Sequence, residues 1–222
     1  MERKSSRTDM VSDADRDAEA AITALLGAER PDDGLLAEEG SESEGCSGRR
    51  WVIDPLDGTT NFLYGLPAWA VSIALEDGDG AAVGVVLDPV RDELFSAVRG
   101  EGARLADERL VVSGCDALDR ALVATGFSYE PEQRAIQAKV LLRVLPLLRD
   151  IRRPGSAALD LCSVAAGRVD GYYERGGQRW DWAAGSLVVT EAGGQLRDLP
   201  GEPAGLVAAG AAIVDELEAL VT

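Results

Sequence analysis

The chain has 222 residues, and 46% of them are hydrophobic, which is enough to form a sizeable buried core. Its 22 Lys and Arg face 39 Asp and Glu, so the formal net charge is -17. A field of that sign repels phosphate backbones and anionic lipid, and we therefore expect neither nucleic acid nor a membrane as a partner. The same field repels a small phosphate ester, so binding one would require cations that reverse the sign locally.

Three further features narrow the location and the chemistry. The amino terminus lacks the apolar core of a secretory signal, and no run approaches the roughly 18 apolar residues of a membrane helix, so we expect a cytoplasmic protein. The widely spaced Cys46, Cys115 and Cys162 indicate neither a disulfide framework nor a zinc site. The sequence has no His, which excludes Ser-His-Asp and Cys-His catalysis and His-ligated zinc. Acid-base chemistry must therefore come from carboxylates, hydroxyls or metal-bound water.

In the first half of the chain, one helix precedes a series of strands. Apolar residues at helical spacing after Ser12 predict an amphipathic helix from about Asp13 to Gly27. After the turn PDDG, the run LLAEEG has the pattern of a short strand that ends on two acids. Trp51 to Asp54, WVID, is predicted to be a strand that stops at acids and at the breaker-rich DGTTN. Short β-branched runs from Trp69 to about Val112 predict an antiparallel meander.

The second half mixes strands with helices. ALVATG and DIRR are strand candidates, and helical patterning covers Pro131 to Leu148, Ser156 to Gly167 and Asp181 to Ala192. A strand at Leu206 to Ala209 and a helix at Ile213 to Val221 are predicted to close the chain. Because no repeat or linker divides the sequence, we predict one domain over residues 1–222, with an α+β half at about 1–115 and an α/β half at about 116–222.

The segment DPLDGTTNF carries the first chemical signal. Pro55 biases Asp54 towards extended geometry, and Gly58 permits a tight turn, so two acids are held beside a hydroxyl and free amides. Asp54, Asp57 and a backbone carbonyl between them form a partial oxygen shell of the kind that Mg²⁺ prefers, and the Thr59 hydroxyl could orient a water. Taken alone, the segment is also consistent with a solvated turn.

Acids elsewhere in the chain are candidates to complete such a shell. Glu38 and Glu39 lie upstream, and Asp181 lies between Trp180 and Trp182, where a charge flanked by large aromatic rings needs compensation. A metal ion would provide it. The alternatives are a surface loop for the Glu pair and a helix N-cap for Asp181, so neither acid by itself indicates a metal site.

The combination of these segments matches a known pattern. WVIDPLDGTTNF, preceded by EEG and followed far downstream by WDWAAGSLVVTEAGG, resembles the two signature regions of the inositol monophosphatase family. Similarity runs from KSSRTDMVSDAD through GSAALDLCSVAAGRVDGYYE to the C-terminal helix, so it covers nearly the whole chain. The resemblance implies an α+β fold, the layered αβαβα sandwich of this superfamily, and commonly a homodimer. Because the sequence begins just ahead of KSS, we expect the family's long N-terminal helix to be absent.

The resemblance also implies the metal ligands and the catalytic groups. Metal ligation falls to Glu38, Asp54, the carbonyl of Leu56, Asp57 and Asp181, with two or three Mg²⁺ ions. Such ions lower the pKa of bound water and neutralise the charge that develops on the leaving alkoxide. Glu38 and Thr59 match the positions that activate the attacking water, so the implied catalytic set is Glu38, Asp54, Asp57, Thr59 and Asp181.

Substrate contacts implied by the resemblance combine this loop with two later segments. The set is Leu56, Asp57, Gly58, Thr59, Gly155, Ser156, Ala157, Glu174 and Asp181. The amides of Gly58 and Thr59 would face the phosphate, and Glu174 would accept hydrogen bonds from sugar or cyclitol hydroxyls. An exposed acid at a strand end is the alternative for Glu174. Asp15 matches an acid near the attacking water, and Lys4 matches a residue close to a third metal position.

The expected activity is Mg²⁺-dependent hydrolysis of a phosphate monoester on a small polyol by metal-activated water, with inositol 1-phosphate as the best single substrate. Related families of this fold cleave fructose 1,6-bisphosphate, histidinol phosphate or 3'-phosphoadenosine nucleotides, and these substrates stay open. TTNF and Glu174 favour the inositol type. A different class also stays open, namely a catalytically weak metal-binding regulatory protein that has kept the fold.

Overall fold

The structure is a computed structural model that describes residues 2–3 and 10–222, so Lys4 lies outside the described residues. The strands are β1 Glu2–Arg3, β2 Met10–Val11, β3 Gly34–Ala37, β4 Glu42–Ser43, β5 Arg50–Asp57, β6 Ala70–Asp77, β7 Gly80–Asp88, β8 Glu93–Val98, β9 Gly102–Leu105, β10 Glu108–Arg109, β11 Leu122–Thr125, β12 Asp150–Arg152, β13 Gly171–Arg175, β14 Gln195–Leu199 and β15 Gly205–Ala209. The α-helices are α1 Asp13–Glu29, α2 Thr59–Tyr64, α3 Pro131–Val144, α4 Ala157–Ala165, α5 Arg179–Glu191 and α6 Val214–Val221, with short 3-10 helices at Leu118–Arg120 and Leu145–Leu147.

Two large sheets form the framework. The first has eight strands in the order β10-β9-β8-β7-β6-β5-β3-β4, and it is antiparallel except where β3 runs parallel to β5. The second has five strands in the order β12-β11-β13-β15-β14; β12, β11 and β13 are parallel, whereas β15 and β14 join antiparallel. The first sheet is built from the N-terminal half of the chain and the second from the C-terminal half.

Helices α4 and α5 pack between the two sheets. They contact each other, and both also contact strands of the larger and of the smaller sheet. Leu161 of α4 is fully buried, and a Cβ at Gly185 of α5 would lie only 2.7 Å from its side chain, so the two helices are in close contact there. Apolar burial in this middle layer is the main force that joins the two sheets.

Helices also cover the two outer faces. On the larger sheet, α1 packs against β5, while α3 and α6 cover the smaller sheet around the buried Leu217 and Val144. The order of layers is therefore helix, sheet, helix pair, sheet, helix pair, which confirms the αβαβα sandwich. In the described part of the chain, no helix is both long enough and apolar enough to cross a bilayer.

Most predicted elements are present, with informative differences at the site-bearing segments. The predicted strand WVID continues through Pro55 to Asp57, and DGTTN, expected to be a turn, begins helix α2. The helix predicted over Pro131 to Leu148 ends at Val144 and gives way to a 3-10 turn around Pro146. A proline inside a helical pattern removes a backbone donor, which explains the early end. Strand β14 had no clear sequence signal.

The contact between α4 and α5 gives a test of the middle layer. Leu161→Ala removes a fully buried side chain and leaves a cavity, so we expect a loss of about 2–5 kcal/mol in the free energy of unfolding. The control Leu142→Ala changes a side chain that is 76% exposed and should stay within about 0.5 kcal/mol of wild type. Urea denaturation measures both, and equal effects would contradict the proposed role of this layer.

Candidate active site

One cleft brings together the residues that the sequence analysis assigns to catalysis, metal ligation and substrate contact. It encloses about 650 Å³, part of which is open to solvent, and it lies where β5 ends and where helices α2, α4 and α5 begin. The predicted residues that line it are Glu38, Asp54, Leu56, Asp57, Gly58, Thr59, Gly155, Ser156, Ala157, Glu174 and Asp181. Residues from both halves of the chain therefore form a single cavity.

Strand β5 delivers two acids to this cleft because its pairing is irregular. Residues three apart in a regular strand point to opposite faces, so Asp54 and Asp57 would normally diverge. The register with β6 shifts between these two residues, and an irregularity of this kind re-aims side chains. Both carboxylates are buried, and the Leu56 amide donates to Asp54 Oδ1 at 3.0 Å. The local sequence thus sets the spacing of the two acids.

Gly58 makes the turn that follows. Its φ of 94° lies in the left-handed region, and a Cβ there would lie 3.0 Å from the Ala68 carbonyl oxygen and 3.1 Å from that of Gly155. A side chain is therefore disfavoured both by conformation and by space. The first helical hydrogen bond of α2 runs from the Phe62 amide to the Gly58 carbonyl, so the earlier amides have no partner within the helix.

Helix α4 fixes Asp57 from the opposite wall. The Ser156 hydroxyl and the Ala158 amide donate to Asp57 Oδ2 at 2.5 and 2.7 Å. Burial raises the pKa of Asp57 to about 6, while the hydrogen bonds from Ser156 and Ala158 act in the opposite direction. Ser156 also caps α4 by accepting from the Leu159 amide at 3.3 Å. Ser156, predicted to contact the substrate, is therefore hydrogen-bonded to Asp57, a predicted metal ligand.

Asp181 lies in the first turn of α5. Asp181 is not the N-cap, which was the alternative that the sequence allowed; Gln178 occupies that position. The backbone N–H of Gln178 donates to Asp181 Oδ2 at 2.5 Å. Burial, and then the charge of Asp57, raise the pKa of Asp181 well above its usual range. An ion pair between Arg179 and the buried Glu76 of β6 anchors the beginning of this helix to the larger sheet.

Helix α1 supports the site with a buried acidic face. Asp15 Oδ1 accepts from the Thr59 hydroxyl at 2.9 Å, so the acid that the resemblance placed near the water contacts the predicted activating hydroxyl. One helical turn later, Glu19 accepts from the amides of Glu39 and Ser41 at 2.7 and 2.9 Å. Glu19 thereby holds the loop that carries Glu38. The sequence analysis missed Glu19, although its spacing of four from Asp15 places both acids on one helix face.

The chemistry of the cleft fits divalent cations. Burial, followed by the charges of Glu38, Asp57 and Asp181, raises the pKa of Asp54 well above its usual range. Among the described lining residues, Arg153 is the only Lys or Arg. Oxygen-rich, mutually repelling carboxylates of this kind are the donors that Mg²⁺ selects. Across residues 2–3 and 10–222, no group of three or more acids or thiols is already arranged as ion ligands.

Further lining residues were not found from the sequence. They are Gly126, Phe127, Tyr129, Arg153 and Asp160. Asp160 is only 2% exposed, and burial, followed by the charges of Glu174 and Asp57, raises its pKa well above the usual range. An acid inside the largely apolar helix α4 was an available signal for Asp160. The aromatic residues follow β11 and had no such signal.

Known proteins are similar to this chain over nearly its whole length. A family model described as the inositol monophosphatase family matches residues 1–222. Inositol-1-monophosphatase SuhB from Mycobacterium tuberculosis is 47% identical over 229 residues, covering 96% of this chain and 78% of that protein. Nus factor SuhB from Pasteurella multocida is 46% identical over 219 residues, covering 96% and 82%.

A solved structure shows the same fold. The extragenic suppressor protein suhB from Bartonella henselae superposes with a TM-score of 0.93 at 43% identity, covering 99% of this chain and 88% of that one. Sequence and fold thus agree over nearly the full length. The chain belongs to the inositol monophosphatase family of phosphoric monoester hydrolases.

Proposed function

We propose that this protein hydrolyses a phosphate monoester of a small polyol in a Mg²⁺-dependent reaction, with inositol 1-phosphate as its preferred substrate. The observation that carries the proposal is the buried pair Asp54 and Asp57, which shares one cleft with Glu38 and Asp181. A chain with a net charge of -17 needs bound cations to accept a phosphate in such a place. Two relatives named inositol-1-monophosphatase support the choice of substrate.

The metal side of the proposal assigns ligands by donor chemistry. Glu38, Asp54, the Leu56 carbonyl, Asp57 and Asp181 would hold two or three Mg²⁺ ions. When bound, these ions supply a more acidic water and neutralise charge on the phosphoryl oxygens and the leaving alkoxide. Each of the three aspartates already has one oxygen held by a backbone amide, which restricts its rotation. Cation binding would therefore use a partly organised set of carboxylates.

The nucleophile side rests on Thr59. Its hydroxyl has one proton and lies 2.9 Å from Asp15 Oδ1 and 3.1 Å from the Leu56 carbonyl oxygen. With that proton donated to Asp15, the lone pairs of Thr59 can accept a hydrogen bond from the attacking water. The Asp15–Thr59 pair would thus orient the water, and Glu38 would accept its proton. Glu19 holds the Glu38 loop and contributes indirectly.

The substrate side comes from the opposite wall. The Gly58 and Thr59 amides would contact the phosphate. The inositol ring of the substrate would lie against Gly155, Ser156 and Ala157. Glu174 lies at the end of β13 and lines the cleft, where it can accept from a ring hydroxyl. A cytoplasmic location and a homodimer complete the proposal. The exposed apolar side chains of Tyr64 and Leu66, which are 73% and 52% exposed, support a self-association surface.

A substrate panel tests the reaction and its alternatives. Phosphate release is measured with inositol 1-phosphate, fructose 1,6-bisphosphate, histidinol phosphate and 3'-phosphoadenosine 5'-phosphate, each with Mg²⁺ and with EDTA. We expect the highest kcat/KM for inositol 1-phosphate, and no release in EDTA, because the acidic cleft repels phosphate without cations. A folded, Mg²⁺-loaded sample that releases phosphate from none of the four would favour the regulatory alternative.

Asp54→Asn tests the metal ligands. The variant keeps an oxygen for the Leu56 amide but removes a carboxylate charge, so we expect Mg²⁺-dependent kcat/KM to fall by about 100-fold or more. Its melting temperature in EDTA should not drop, because the substitution also relieves carboxylate repulsion. Asp79→Asn, in an exposed turn, is the matched control and should keep full activity. An active Asp54→Asn enzyme would refute the assigned role.

Glu19→Gln tests the support of the Glu38 loop. Glu19 accepts from two backbone N–H groups, one on each carboxylate oxygen. Gln has only one side-chain oxygen, so its NH2 group would face one of these N–H groups. The loop would therefore lose one hydrogen bond, and two donors would repel each other. We expect kcat to fall by about 10-fold and the Mg²⁺ concentration needed for half-maximal rate to rise. Glu29→Gln, an exposed change on the same helix, should alter neither value. An unchanged Mg²⁺ dependence in Glu19→Gln would contradict the assignment.

A further inference from the structure

Tyr172 and Glu174 share one face of strand β13. Side chains two residues apart in a strand point the same way, and here both turn towards the middle layer, whereas Tyr173 points to the opposite core. The Tyr172 hydroxyl donates to Glu174 Oε2 at 2.9 Å. Tyr172 is fully buried, so its hydroxyl cannot exchange this partner for bulk water.

Trp182 gives this contact a fixed direction. Its Nε1 donates to the Tyr172 hydroxyl at 3.1 Å, and an indole nitrogen can only donate. The hydroxyl must therefore accept from Trp182, which leaves its single proton for Glu174. Trp182 directly follows Asp181 on α5, so the same helix turn that supplies a proposed metal ligand also orients Glu174.

Gly126 closes the other side of the carboxylate. A Cβ at this position would lie 2.0 Å from Glu174 Oε2 and 2.2 Å from Oε1, so the carboxylate lies directly against the Gly126 backbone. Any larger residue would displace it. Within the described residues, no hydrogen bond reaches Oε1, which leaves this oxygen for a ligand in the cleft.

We propose that Trp182, Tyr172 and Gly126 form a brace that presents one oxygen of Glu174 to the substrate, and that this brace sets the preference for leaving groups that carry hydroxyls. The inference rests on the proposed phosphatase function and deepens it. A free Glu side chain would have to lose rotamer freedom on binding, whereas a braced one has already lost it. Tyr172 and Trp182 are positioning residues, since they act through Glu174.

The test compares a hydroxyl-bearing substrate with one that lacks hydroxyls. Inositol 1-phosphate and p-nitrophenyl phosphate are assayed with wild type, Tyr172→Phe, Trp182→Phe and Tyr173→Phe. We expect Tyr172→Phe to lower the ratio of the two kcat/KM values about fivefold, the size of one ordinary hydrogen bond, with p-nitrophenyl phosphate turnover unchanged. Trp182→Phe should lower the ratio by a smaller factor. Tyr173→Phe, the adjacent control on the other face, should leave it unchanged.

A cycle with Glu174→Ala, which removes the acceptor of the Tyr172 hydroxyl, shows whether the effect passes through Glu174. In that background, Tyr172→Phe should cause no further loss of selectivity. An unchanged ratio in Tyr172→Phe, equal losses with both substrates, or an additive loss in the double variant would each overturn the brace while leaving the phosphatase proposal intact. If Tyr172→Phe melts too low for assay, Trp182→Phe decides by the same criteria. A wild type that hydrolyses only p-nitrophenyl phosphate overturns both the substrate assignment and the brace.

Discussion

The burial of several carboxylates in one cleft is the constraint on which the rest of this structure depends. Asp54 and Asp57 are 1% and 8% exposed, and the charge of Asp57 raises the pKa of both Asp54 and Asp181. Such an arrangement costs folding free energy unless cations or hydrogen bonds compensate the charges. The protein compensates part of it itself, by directing backbone amides at one oxygen of each aspartate. The negative charge that remains uncompensated is the charge that a bound divalent cation would neutralise.

The compensating groups come from elements that are distant in sequence. Asp57 is held by the N-terminus of α4, Asp181 by the residue that precedes α5, and the Glu38 loop by Glu19 of α1. Backbone N–H groups at the beginning of a helix lack partners within the helix. One hydrogen bond to a carboxylate therefore gives both the N–H donor and the carboxylate oxygen a partner. The layered fold therefore does more than bury apolar surface: it brings helix beginnings to the place where the acids accumulate.

The sequence analysis named the acids that line the cleft but not most of the groups that support them, for a physical reason. Asp54, Asp57 and Asp181 lie in short segments that together resemble a family signature, so the sequence could name them although no segment alone indicated a metal site. Glu19 and Tyr172 act through contacts with residues that are far away or on another element, and neither departs from an ordinary helix or strand pattern. Helix α2 was missed because Gly58 resembles a turn glycine, although its left-handed φ here starts a helix. Side-chain contacts between elements require the packed structure.

The division of the site between the two sheets has a final consequence. The larger sheet and its edge loops supply Glu38, Asp54 and Asp57, whereas the smaller sheet supplies Glu174, and helices α4 and α5 join them. Neither half of the chain contains both the proposed metal ligands and Glu174, the proposed acceptor for substrate hydroxyls. This supports treating residues 1–222 as one domain. Because Asp181 and Trp182 are consecutive on α5, a shift of that helix moves the metal-ligand candidate and the orientation of Glu174 together. In the proposed mechanism, one turn of one helix would thus link cation binding to substrate selection.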